Sequence, residues 1–211
     1  CYAVEGQLAY APVTSWLRAD AMQSGLSALN PLWLSEIARL VPDLLVGRSD
    51  IPHPRPMREG WQRQHFFEAL AHALLRAPQP LLLLLDDLQW CDNETLEWVH
   101  YLLRFEPKAR LLLVGTVRPE EILAGHPLVA FLSALQREGL VTEVALGPLD
   151  TTETTSLAEY IIGHQLDPGI TNTLHRETEG NPLFVVEMVR AGILTQHNME
   201  SHVVDTLHPL L

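Results

Sequence analysis

Two carboxylates stand side by side at the end of an apolar run, where Leu81 to Leu85 is followed directly by Asp86 and Asp87. An unbroken run of that kind reads as a strand buried on both faces of a parallel sheet, with the acids at its carboxyl end. In open α/β sheets ligands collect at that end of the strands. One carboxylate there can hold the magnesium of a bound nucleotide, usually through water, while its neighbour orients an attacking water. The same pair also reads as a capping or turn-forming acid at a strand end, and the motif by itself leaves both readings open. Asp92 is accounted for as the N-cap of the following helix without any ligand.

A second apolar run, residues 111–114, ends in Gly115-Thr116-Val117-Arg118-Pro119-Glu120-Glu121. It places polar Thr116 and Arg118 at the same carboxyl edge, where Arg118 can meet a terminal phosphate. A surface arginine paired with Glu120 or Glu121 is the plainer alternative. Farther along, Glu179-Gly180-Asn181-Pro182-Leu183-Phe184 joins two helices through a glycine able to take positive φ and a proline suited to a first helical turn. That is a good helix-to-helix turn in its own right, and its amides are also of the kind that contact a base or phosphate. An ATPase built on such parts needs G-x-x-x-x-G-K-[ST] to cradle phosphates, and this sequence does not contain it. Its single lysine, Lys108, sits in Phe105-Glu106-Pro107-Lys108-Ala109-Arg110, a solvated loop without a nearby glycine.

The elements that must position these residues follow from periodicity. Between Tyr10 and Leu45 apolar residues recur at helical spacing, broken by Asn30-Pro31 and Pro42, which predicts two short helices. Residues 47–60 carry Gly47, Pro52, Pro54, Pro56 and Gly60 and predict a surface loop. Trp61, His65, Phe66, Ala69, Leu70, Ala73 and Leu74 mark a helix stopped by Pro78 and Pro80. The strand at 81–85 is followed by a helix capped by Asp92, with Leu96, Val99 and Leu103 on its apolar face. The strand at 111–114 is followed by a helix from Pro127 to Arg137, and residues 141–146 predict a third strand. Strands alternating with helices define an α/β fold around a parallel sheet. Beyond Gly147-Pro148 three helix starts follow one another, at Asp150 with Glu153, at Asp167-Pro168 and at Asn181-Pro182. The expected division is therefore a partial α/β core over residues 1–148 and a small helical subdomain with the start of a linker over 149–211. The chain shows no internal repeat or low-complexity tract.

Composition narrows the function classes. The chain has 211 residues, 47% hydrophobic and 19% charged, enough for a sizeable core. Lys plus Arg total 14 against 26 Asp plus Glu, a formal net charge of -12, which argues against direct nucleic-acid binding by this segment. The cysteines, Cys1 and Cys91, form no C-x-x-C, which argues against a disulfide framework or a zinc site and favours a reducing cytoplasm. No apolar run is long enough to span a bilayer. The histidines form no H-x-x-x-H or H-E-x-x-H, no G-x-G-x-x-G is present, and no serine has a nucleophile-elbow context. Trp16, Trp33, Trp61, Trp90 and Trp98 read as core or interface anchors rather than a base-stacking platform. The first residue is Cys1 rather than Met, and the stretch Cys1 to Gly6 looks like the end of a strand, so the chain reads as a fragment.

Three blocks, Leu84-Leu85-Asp86-Asp87-Leu88-Gln89-Trp90-Cys91-Asp92, Val114 to Glu121, and Glu179-Gly180-Asn181-Pro182-Leu183-Phe184-Val185-Val186-Glu187, occur in an order and spacing that resembles the AAA-like ATPase module of STAND proteins. The first block matches the Walker B pattern. Similar modules occur in large LuxR-type regulators, in activators with bacterial transcriptional activation domains, and fused to cyclases or kinases. The resemblance covers roughly residues 1 to 195 and is weaker before residue 80. It implies a P-loop NTPase (AAA-like) parallel sheet, here missing its first strand and P-loop, with a C-terminal helical lid. It also implies a switch in which ADP holds an inactive form and an inducer plus ATP opens the module for assembly and output. Carried over, Asp86 holds Mg2+, Asp87 polarises water, Arg118 is the sensor of the terminal phosphate, and Gly180, Asn181 and Pro182 form the lid motif. Asp87 stands where many AAA+ enzymes have Glu, which implies slow hydrolysis suited to a timer, and the fragment alone is expected to lack ATPase activity. Self-association or a partner protein on activation is implied, with DNA contacted through another domain. A protein-interaction scaffold on a degenerate ATPase fold is the alternative.

Overall fold

Several helix starts in this chain are fixed by polar side chains placed one residue ahead of them. In the computed structural model, which describes residues 8–192, Asn30, Asp92, Asp150, Asp167 and Asn181 each accept a hydrogen bond from the first turn of the helix that follows. Such bonds satisfy amides that have no partner inside the helix. The described residues fall into two compact units that divide between Thr142 and Glu143. The opening stretch Cys1 to Gly6 and the end of the predicted second domain lie outside the described residues.

The first unit opens with α1 (Ala11–Arg18), α2 (Gln23–Ser27) and α3 (Pro31–Ile37), with one-turn 3₁₀ segments at Asp20–Met22 and Pro42–Leu45. The region predicted as two helices is thus cut more finely, because Ala19 adopts extended backbone between α1 and the next turn. Residues 47–59 form the expected loop. Helix α4 (Gly60–Leu75) buries Phe66, Phe67, Ala69, Leu70, Ala71, Ala73 and Leu74, more than a single face, while Trp61 at its start is exposed. Strand β1 (Leu81–Leu85), helix α5 (Asn93–Phe105) and strand β2 (Leu111–Gly115) make a β-α-β unit, and α6 (Pro127–Arg137) follows. The strands pair in parallel, with Leu81 opposite Leu111 and Leu85 opposite Gly115. A parallel pair requires a crossover, and α5 supplies it. The fully buried Trp98 of α5 donates its indole N–H to the Phe67 carbonyl at 3.2 Å, fastening α5 to α4. On α5 the buried face is Leu96, Trp98, Val99 and Leu102, with Leu103 half-buried.

Two expectations are corrected. The strands are covered on one face only: Leu83 and Leu85 are buried, whereas Leu82, Leu84, Leu112 and Val114 are exposed. The helices α4 and α5 pack on each other and share a core with Leu83 and Leu85, while the alternate residues of each strand lack cover. Residues 141–146 form no strand, and Val144 and Leu146 are exposed. A strand needs a neighbour to complete its backbone hydrogen bonds, and among the described residues the sheet consists of β1 and β2 alone.

The second unit is helical: α7 (Thr151–Ile162), α8 (Pro168–Thr178) and α9 (Pro182–Arg190) pack around Ala158, Leu174, Val185, Met188 and Val189. The capping box read from Asp150 and Glu153 is present, each side chain bonding the other's backbone N–H at 2.8 and 2.9 Å. Among the described residues, no helix is long and apolar enough to cross a membrane.

Candidate functional site

Past the last ladder pair, the carboxyl ends of β1 and β2 stay joined. Thr116 N donates to Leu85 O at 3.0 Å, and Leu88 N donates to Thr116 O at 2.9 Å. The 3₁₀ turn Leu88–Trp90 folds back so close to β2 that a Cβ on Gly115 would force the buried Leu88 side chain to move. Between β1 and this turn, Asp87 adopts a left-handed backbone with φ 54°. That conformation costs an ordinary L-residue about 1 kcal/mol, and aspartate tolerates it through its short polar side chain.

These turns bring the predicted residues of the two strand ends together. The Thr116 hydroxyl donates to Asp86 Oδ1 at 2.5 Å and accepts from Asp87 N at 2.8 Å, so one side chain of β2's extension holds both acids of β1's. Arg118 Nε lies 3.2 Å from Asp87 Oδ1, and Arg118 Nη1 donates to Glu121 Oε1 at 3.1 Å. The guanidinium also lies over the Trp90 ring, 5.5 Å from its centroid. The partner considered in the plainer alternative is therefore present, alongside the strand-end acid.

Gln89 and Glu121 complete the cluster, although sequence reasoning gave neither a role in a site. Gln89 is buried; its Nε2 reaches Asp87 Oδ1 at 3.0 Å and Glu121 Oε2 at 3.3 Å, while its Oε1 accepts from Arg118 N at 3.2 Å. The available signal was a lone amide inside the apolar stretch Leu88-Gln89-Trp90-Cys91, which needs a polar partner when buried. Asp92 is a cap, as read, and also an anchor. Its Oδ1 accepts from Thr95 N at 2.7 Å and from Tyr10 N at 3.1 Å, and its Oδ2 accepts from Thr95 Oγ1 at 2.6 Å. Cys91 next to it is a buried free thiol, and burial, then the Asp92 charge, pushes it up to about 12. It stays protonated near neutrality and is not a nucleophile there.

The predicted lid residues sit in the second unit. Glu179 at φ 49° and Gly180 at φ 73° reverse the chain, and Gly180 O accepts from Leu149 N at 2.9 Å. A Cβ on Gly180 would collide with the Leu149 backbone, so glycine is required there. Asn181 Oδ1 accepts from Leu183 N at 3.0 Å, and Pro182 occupies the first turn of α9. Among the described residues no group of three or more His, Cys, Asp or Glu is placed to hold a metal ion by itself. The donor set of the strand-end cluster, carboxylates beside a hydroxyl, is hard oxygen, the kind Mg2+ takes alongside phosphate oxygens rather than as a closed protein cage. No family model, curated protein or solved structure matches this chain.

Proposed function

We propose that this chain belongs to an ATP-binding regulatory module of the STAND/AAA-like P-loop class. In this reading it serves a multidomain transcriptional regulator or signalling protein in the cytoplasm. The observation that carries this reading is the meeting of Asp86, Asp87, Thr116 and Arg118 at the carboxyl ends of two parallel strands. Two acids, a hydroxyl and a cation linked at one strand edge are more than a strand-end cap needs, and they are the kinds of group that Mg-nucleotide binding uses. Asp86 would take the magnesium side, its orientation set by Thr116. Asp87 is turned by its left-handed backbone toward Gln89 and Arg118, where a carboxylate can orient water. Arg118 offers a fork of N–H donors matched to phosphate oxygens. ATP or ADP with Mg2+ is the cofactor, and Gly180, Asn181 and Pro182 belong to the lid. Nucleotide state governs self-association or partner binding, hydrolysis is slow, and DNA is contacted by another domain.

Calorimetric titration of ATP-Mg and ADP tests this, using the chain and a form extended upstream by about 50 residues, the length of a strand, phosphate loop and helix. Binding by the extended form that Asp86→Ala abolishes is the expected result. A second reading, an interaction scaffold on an ATPase-like fold, is favoured by the carboxylates already paired with Arg118. Absence of binding by either form selects it.

A further inference from the structure

The carboxylates that clasp Arg118 are not equivalent. Asp87 is pinned: its amide is bonded to Thr116, its carboxylate to Gln89, and its side chain is 16% exposed. Glu121 lies at the end of the one-turn segment Pro119–Glu121, and its side chain is 34% exposed. That turn closes through Glu121 N donating to Arg118 O, a bond that needs no carboxylate. The Glu121 side chain is spent on Arg118 Nη1 and on Gln89 Nε2. Gln89 therefore steers Glu121 onto the same guanidinium that faces solvent on its other side, 52% exposed.

We propose that Glu121 is a built-in competitor for the phosphate ligand: its carboxylate holds Arg118 Nη1 in the resting chain and yields it when a phosphate oxygen arrives. Carboxylates and phosphates take the same planar donors of a guanidinium, so both cannot hold Nη1 fully at once. The clasp raises the nucleotide concentration at which the site fills, and it opposes a phosphate ligand without changing the fold. This inference rests on the cluster being a nucleotide site.

The test is binding of ATP-Mg and ADP-Mg to the full-length natural protein, comparing wild type with Glu121→Gln, Glu120→Gln and Arg118→Ala. Glu121→Gln should tighten ATP-Mg binding roughly two- to fivefold, the scale of an exposed ion pair. The gain for ADP should be smaller, because it is the less charged ligand. Glu120→Gln removes the same charge one residue away and should leave affinity unchanged. Equal tightening by both variants would reduce the effect to general charge and overturn the proposal. So would an unchanged Glu121→Gln affinity in a protein that binds ATP and loses affinity with Arg118→Ala. Failure of the wild type to bind either nucleotide would instead sink the site reading itself, and this proposal with it. A nucleotide-free measurement stands beside these: the Arg118 side-chain N–H resonances of 15N-labelled chain should shift in Glu121→Gln and not in Glu120→Gln. Unmoved resonances would show that no clasp exists in solution.

Discussion

The turn at the end of β1 and the turn before α9 both pass through left-handed backbone, at Asp87 and at Glu179-Gly180, yet they spend their residues differently. Before α9 the fold accounts for Gly180, Asn181 and Pro182, while Glu179 takes φ 49° with its side chain exposed. Gly180 makes room for Leu149, Asn181 caps, and Pro182 begins the helix. After β1 an acid holds a position where glycine is cheaper, and its carboxylate caps nothing; it is turned toward Gln89 and Arg118. A non-glycine residue takes positive φ in both turns, Asp87 in one and the exposed Glu179 in the other, and what separates them is that the Asp87 carboxylate is bonded to Gln89 and Arg118.

The sharpest way to break that contrast is Gly180→Ala. Positive φ and the collision with Leu149 together should cost about 3 kcal/mol. Hydrogen exchange should then show lost protection across α7, α8 and α9. Unchanged protection would mean the close approach to Leu149 yields freely, and the turn would no longer count as purely structural. Asp92→Ala comes next. It strips a cap from α5 and leaves Tyr10 N without its acceptor, at about 2 kcal/mol. Urea unfolding followed by tryptophan fluorescence measures it, and a loss below about 0.5 kcal/mol would reopen a ligand role for that acid.

These partners also show how far sequence reaches. Capping is local, so Asp92, Asp150, Asp167 and Asn181 could be read from a few neighbouring residues, as could the apolar runs of β1 and β2. Asp86, Asp87 and Arg118 were legible as a group because parallel strands put their carboxyl ends at one edge. The bonds of Gln89 to Arg118 and Glu121 span sequence separations of 29 and 32 residues, and no periodicity encodes them. The predicted strand at 141–146 failed for a related reason. Alternation of apolar residues specifies a willingness to pair, and the partner must come from elsewhere in the chain.

Asp87→Gly tests the other side of the comparison. Glycine relieves the left-handed backbone while the contacts to Arg118 and Gln89 disappear. The opposing effects should leave stability within about 1 kcal/mol of wild type. Nucleotide binding in the extended chain should nevertheless fall sharply. A large loss of stability would make Asp87 a structural residue after all, and the two turns would then be alike.

The smallest effect sharpens the comparison from inside the site. Cys91 follows the Leu88–Trp90 turn directly, so its accessibility reports whether that turn opens. Burial raises its folded pKa from 9.0 to about 12, which favours the neutral thiol in the folded chain. A raised value gives a contribution fully present below the unfolded pKa and lost as pH climbs from 9.0 toward about 12. Wild type should therefore lose stability over that window more steeply than Cys91→Ala. At pH 8 a disulfide reagent should modify Cys91 slowly in the native chain and rapidly in urea, read by mass spectrometry of its peptide. Fast native modification would mean that the turn carrying Gln89 opens readily, and the cluster it holds would then be a transient arrangement rather than a preformed site.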